Sequence, residues 1–169
     1  MIRITRPGKY ALSLNSPVMT ASGVMGFANA YNNIINIGKL GAYVTNPITY
    51  APWSPATGTR VVPIDAGVLL HTGLPNLGLS RTIKEYKAVW RDMAIPVIAH
   101  LVATEPDHIE KAIRHIDSEE TLVAIELGLD DDISRRDAEH LVRTAKKVAE
   151  KPILVRLPVS DAYELAYAV

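Results

Sequence analysis

Five short apolar runs alternate with stretches of helical periodicity, and this alternation constrains the fold more than any other feature of the chain. The runs are residues 17–22, 42–45, 96–102, 122–127 and 152–157. Continuously apolar strands separated by amphipathic helices indicate parallel pairing with both sheet faces covered. Between the runs, Ile34, Ile35 and Leu40 mark one side of a helix expected over 28–39, stopped by Gly41. Ile83, Tyr86 and Trp90 predict a helix over 82–91, and Ile109, Ala112, Ile113 and Ile116 one over 105–116. Ala138, Leu141, Val142, Ala145 and Val148 form the stripe of another. A β-α-β-α order limits the fold to a doubly wound sheet or a (β/α) barrel, with strands expected in sequential order. Ahead of these units, residues 2–5 and 10–14, joined through Pro7 and Gly8, predict a small antiparallel hairpin.

Composition narrows the class. With 169 residues, 48% of them hydrophobic, a single domain over 1–169 with a real core is expected. The formal net charge is zero, which steers the chain toward neither nucleic acid nor an anionic membrane. No apolar run is long enough to span a bilayer, and Met1-Ile-Arg-Ile-Thr-Arg-Pro7 lacks the apolar core of a signal peptide. Without cysteine there is no disulfide, thiolate site or thiol nucleophile. A cytoplasmic protein is the expectation. The last residues, 166–169, fall inside a helix expected from about Ser160, with no stop signal. An interrupted chain is therefore expected, completed by a second copy in a homo-oligomer or by the remainder of a longer chain.

Chemistry in parallel α/β folds gathers at the C-terminal ends of strands. Those positions hold Ser22 and Gly23, Asn46, His100, Gly128 followed by three aspartates, and Arg156. The connection over 47–80, rich in Pro, Gly and Thr, adds His71-Thr-Gly-Leu-Pro-Asn76. Each has a plain structural alternative. His100 on an apolar strand reads as a core histidine, His71 as a turn residue, and Arg156 as the partner of an aspartate in an ion pair. His108, His115 and His140 read as solvated. Ser134-Arg-Arg-Asp137 has capping-box spacing, so the aspartates 130–132 read mainly as the acidic approach to a helix N-terminus. A metal reading requires His71, His100 and Asp131 to converge.

In order and spacing, the motifs resemble the dihydroorotate dehydrogenase family of FMN-dependent (β/α)8 barrels. Asn15-Ser-Pro-Val-Met-Thr-Ala-Ser-Gly23 is similar to the family's first strand, whose Ala21-Ser22-Gly23 end would contact the flavin through backbone. Leu40-Gly-Ala-Tyr-Val-Thr-Asn-Pro-Ile-Thr49 resembles the second strand, and Gly73-Leu-Pro-Asn-Leu-Gly78 the substrate loop. Ala124-Ile-Glu-Leu127 and Lys151-Pro-Ile-Leu-Val-Arg-Leu-Pro158 resemble the fourth and fifth strands. The resemblance implies an α/β partial barrel of about five of the eight βα units, with the hairpin over its N-terminal end. It implies FMN as cofactor, an oxidoreductase acting on CH–CH bonds, and a place in pyrimidine metabolism. Flavin contacts would come from Ala21, Ser22, Gly23, Asn46, His100 and Arg156. Substrate contacts would come from His71, Gly73, Leu74 and Asn76.

The departures from the family fall on its chemistry. Asn46 stands where the family has a flavin-contacting lysine, and His71 where it has an asparagine. His100 and Gly128 replace two flavin asparagines, and Arg156 replaces a lysine, keeping charge but changing shape. The catalytic cysteine or serine after the fourth strand has Asp131 as its nearest counterpart, in a loop shortened to a few residues before Ser134. An aspartate is a poor base unless desolvation raises its hold on a proton. The expectation is a relative that does not oxidise dihydroorotate and, as this chain alone, binds FMN weakly at best. The alternative is a non-catalytic scaffold serving in binding or assembly.

Overall fold

The computed structural model describes residues 1–5, 7–27, 30–31 and 34–169. Its centre is a parallel sheet of β3 (Tyr43–Val44), β6 (Val97–Val102), β7 (Ala124–Gly128) and β8 (Ile153–Arg156), in that spatial order. An antiparallel pair, β1 (Ile2–Arg3) and β2 (Ser13–Leu14), precedes it, and a second pair, β4 (Val61–Ile64) and β5 (Gly67–Leu70), lies in the long connection. Helices α1 (Leu79–Arg91), α2 (Pro106–Asp117) and α3 (Arg135–Val148) alternate with the parallel strands, and α4 (Ala162–Ala166) follows them. Strand order is sequential, as the alternation predicts.

Strand alternation divides the core between the two sheet faces. Tyr43, Val97, Ala99, Leu101, Ile125 and Leu127 form one continuous cluster with the buried stripes of the helices. Those stripes are Ile83 and Trp90 of α1, Ile109, Ala112, Ile113 and Ile116 of α2, and Ala138, Leu141, Val142 and Ala145 of α3. The opposite face is the barrel interior. At its N-terminal end Ala42, Val44, Ile98 and Ala124 pack on Leu12 and Leu14, which lie in and beside β2. The hairpin thus plugs the bottom of the interior and leaves the C-terminal end open.

Several elements differ from their expected form. The strand expected at 17–22 is a single parallel bridge between Met19 and Ala42. The Val44 N–H donates to the Thr20 hydroxyl at 2.7 Å, and that hydroxyl donates to the Val44 carbonyl. A side chain here takes the place of the backbone ladder. The helix expected over 28–39 falls partly outside the described residues. Its described part holds a 3₁₀ turn over Ile37–Lys39, and Ile34, meant for the buried side, is 74% exposed. Asn36 and Gly38 are poor helix formers, which accounts for the short turn. The β4–β5 hairpin was not expected at all, and neither of its strands has a buried residue. No helix among the described residues is long and apolar enough to cross a membrane.

Candidate active-site cleft

A cleft of about 960 Å³ opens at the C-terminal ends of the parallel strands. Its walls come from the turn after the first-strand position (Ser22, Gly23), the long connection (Trp53, Leu74), the ends of β6 to β8, and the start of α3. The turn at 21–27 is held from outside the cleft. Tyr43 donates its hydroxyl to the Met25 carbonyl at 2.6 Å, and the Trp90 indole N–H donates to the Phe27 carbonyl. Burial pushes the Tyr43 phenol well above its ordinary range, so it stays a neutral donor.

On this wall the Ser22 hydroxyl is buried and has no partner among the described residues. Gly23, at φ 86°, has open space where a side chain would stand, leaving bare backbone on the cleft. Asn46 points elsewhere. Its side-chain oxygen accepts from the Gly26 N–H at 3.1 Å, and its own N–H donates to the Gly26 carbonyl. It clamps the turn from outside the cleft lining, and Ala21 lies outside that lining too.

The loop with the Gly73–Gly78 motif forms the opposite wall. Asn76 is buried, and its Oδ1 accepts from the Thr49 N–H, the Thr49 hydroxyl and the Gly78 N–H. Its amide nitrogen donates to the Leu74 carbonyl, so most of its capacity is spent holding the loop. Gly73 is pressed against Ala56, where an added Cβ would lie 2.5 Å from the backbone nitrogen. Leu74, at φ 51°, is the one non-glycine residue with positive φ among the described residues, and it lines the cleft. His71 is exposed, donates its backbone N–H to the Arg60 carbonyl, and does not line the cleft.

On the floor, His100 is buried, and its Nδ1 lies 2.6 Å from Glu126 Oε1. Gly128 gives the ring its room, since a Cβ there would meet His100 Nε2 at 2.5 Å. Beyond Gly128, Asp130 accepts from the Asp131 N–H, and Asp131 and Asp132 stand exposed at the rim. Ser134 caps α3 as its spacing predicts. Its Oγ accepts from the Asp137 N–H at 3.1 Å and donates to the Asp137 carboxylate.

Arg156, His108 and His115 depart from their plain alternatives, while His140 is exposed as expected. Arg156 lines the cleft and makes no ion pair with the aspartates among the described residues. His108 is half-buried against the Tyr50 ring, and His115 half-buried beside Ser80, so neither is simply solvated. His140, though exposed, lines the cleft with Asp131 and Asp137. Among the described residues no group of three or more His, Asp or Glu side chains is placed to hold a metal ion. The convergence of His71, His100 and Asp131 does not form, because His71 lies off the cleft.

An opening at the C-terminal ends of sequentially ordered parallel strands places the site where barrel enzymes keep theirs. The family model for dihydroorotate dehydrogenase matches residues 9–168. The chain belongs to the dihydroorotate dehydrogenase family. It is 31% identical to the catalytic subunit of dihydroorotate dehydrogenase B (NAD(+)) of Listeria welshimeri, over 94% of this chain and 56% of the relative. The same subunit of Trichlorobacter lovleyi is 26% identical over 94% of this chain and 56% of its own length. That of Geobacter sulfurreducens is 25% identical over 93% and 55%. The chain spans about half the length of the curated relatives it matches. Within the dihydroorotate dehydrogenase family it is thus a partial (β/α) barrel with an N-terminal hairpin.

Proposed function

We propose that the cleft is the ring-binding wall of an FMN site in a dihydroorotate dehydrogenase relative whose substrate is not dihydroorotate. The Ser22 hydroxyl carries this reading. It is buried on the cleft wall without a partner among the described residues, and such an orphan costs about 1–3 kcal/mol unless something completes it. A flavin ring offers carbonyl and ring-nitrogen partners for it. The bare backbone at Gly23 and the guanidinium of Arg156, which has no ion-pair partner among the described residues, fit the same ligand. Ser22, Gly23 and Arg156 would hold the ring. Bound there, FMN would supply hydride and single-electron chemistry.

Asp131 supports the second half of the proposal. It stands exposed on the rim, so water competes for any proton it would take from a substrate. Phosphate in barrels of this type is held after strands seven and eight, and this chain holds four parallel strands and the Met19 bridge among its described residues. Weak flavin binding, carried by the ring, is therefore expected of the chain by itself.

Titration with FMN, followed by dye reduction with dihydroorotate, tests both halves. Flavin should bind, and Ser22→Ala should weaken binding roughly tenfold, the worth of one hydrogen bond. No dye should be reduced with dihydroorotate. A protein that binds no FMN would return the chain to the scaffold alternative. Turnover of dihydroorotate that disappears in Asp131→Asn would show that the aspartate serves as the base.

A further inference from the structure

The His100–Glu126 pair and Gly128 form a unit that neither the motifs nor the Ser22 wall accounts for. The parallel register sets His100 opposite Glu126 and Gly128 opposite Arg156, all on the interior face. His100 is 3% exposed and Glu126 16%, with Nδ1 and Oε1 2.6 Å apart. A carboxylate only accepts, so the proton between them belongs on Nδ1, and whenever the ring is neutral its lone pair lies on Nε2. That nitrogen overhangs Gly128 on the cleft floor, and no hydrogen bond among the described residues engages it.

We propose that His100 is a tautomer-fixed hydrogen-bond acceptor of the cleft, with Glu126 its positioning residue, and that it selects planar ligands presenting an imide N–H. Two further polar groups of the lining complete the match, Arg156 in register with Gly128 and Ser22 on the neighbouring wall, while the aspartates stand beyond Gly128 toward the rim. Arg156 only donates, and the Ser22 hydroxyl is free to donate. One acceptor flanked by donors is the complement of –CO–NH–CO–, a group that flavin and pyrimidine rings share. A ligand turning only lone pairs toward Nε2 would be repelled. Gly128 belongs to the device because any side chain there would push the ring off its position.

The inference rests on the flavin reading for its first ligand, so the test separates the two. Histidine ¹⁵N spectra of the ligand-free chain, above pH ~8 where ordinary imidazoles are neutral, read the tautomer directly, with His100→Asn assigning the signal. The wild type should show the proton on Nδ1. Glu126→Gln, whose amide can donate to Nδ1, should move a large share of it to Nε2. Lumiflavin should bind at least about tenfold more tightly than 3-methyllumiflavin, the worth of one hydrogen bond, and Glu126→Gln should erase that preference. A wild-type proton on Nε2 overturns the inference. So does equal binding of the two flavins, while leaving the flavin reading intact. If neither flavin nor FMN binds, the flavin reading fails. Thymine against 3-methylthymine then decides the imide inference, which equal or absent binding overturns.

Discussion

Gly128 and His100 lie far apart in sequence and behave as one residue in space. The imidazole fills the volume that a Gly128 side chain would need, with Nε2 at 2.5 Å and Cε1 at 2.7 Å from an added Cβ. Gly128→Ala should therefore cost about 1–3 kcal/mol through overpacking of a buried ring. In a His100→Ala background the same substitution should cost almost nothing, because the colliding ring is gone. Urea unfolding of the two single variants and the double variant measures this coupling, and additive costs would place the strain elsewhere. The Ser134–Asp137 cap was legible in the sequence because both partners belong to one helical turn. The His100–Glu126 pair was not, because it depends on the phase of two separate strands. A signal existed: setting 96–102 and 122–128 in phase puts His100 beside Glu126, as the observed register does.

Helices and central strands followed their patterns closely, since burial enforces the period. Departures came where a side chain or a weak helix former competed with the pattern, as at Thr20 and over Ile37–Lys39. One join between elements rests on a buried amine. Lys151, just ahead of β8, donates from Nζ to the Ile116 carbonyl in the last turn of α2 and to the Glu119 carbonyl just beyond it. Its backbone N–H donates to Asp117. Burial lowers its hold on its proton below the ordinary 10.5, although Asp117, Glu119, Glu120 and Glu150 pull the other way. The unfolded chain then binds that proton more tightly than the fold does. Stability must rise with pH from the folded value toward 10.5. Tyr43 acts oppositely: its raised pKa means that stability is lost above its ordinary 10.0. Comparison with Lys151→Met cancels that common effect. In urea melts stepped from neutral to alkaline pH, the wild type should gain on Lys151→Met. A flat or falling difference would mean that the carboxylates outweigh burial.

At the scale of the molecule, the helix-covered sheet and the plug of Leu12 and Leu14 form the solid part, and the β4–β5 hairpin stands off it. An isolated two-stranded hairpin gains little from burial and opens easily. Brief trypsin treatment should thus cut first after Arg60, at the edge of β4, and leave α2, β7 and α3 joined. Mass spectrometry of the first fragments reads this, and early cuts at Arg143 or Lys146 would contradict it. The hairpin escaped the sequence reading because its apolar residues face outward, where no burial period marks them. By itself the sequence determined the parallel α/β class, the strand order, the plug at the N-terminal end and the cap of α3. The class and the cap follow from local periodicity or from partners a few residues apart. The strand order follows from the rules of chain connection, and the plug from the hairpin's place ahead of the first parallel strand. Only the tertiary structure decided which polar residues face one another. It turned Asn46 and Asn76 to holding loops, left His71 outside, brought Ser22, His100 and Arg156 around one cleft, and set Glu126 against His100. The physical reason is that facing partners are set by register and loop path, which depend on the packing of the whole sheet and leave no period in the chain.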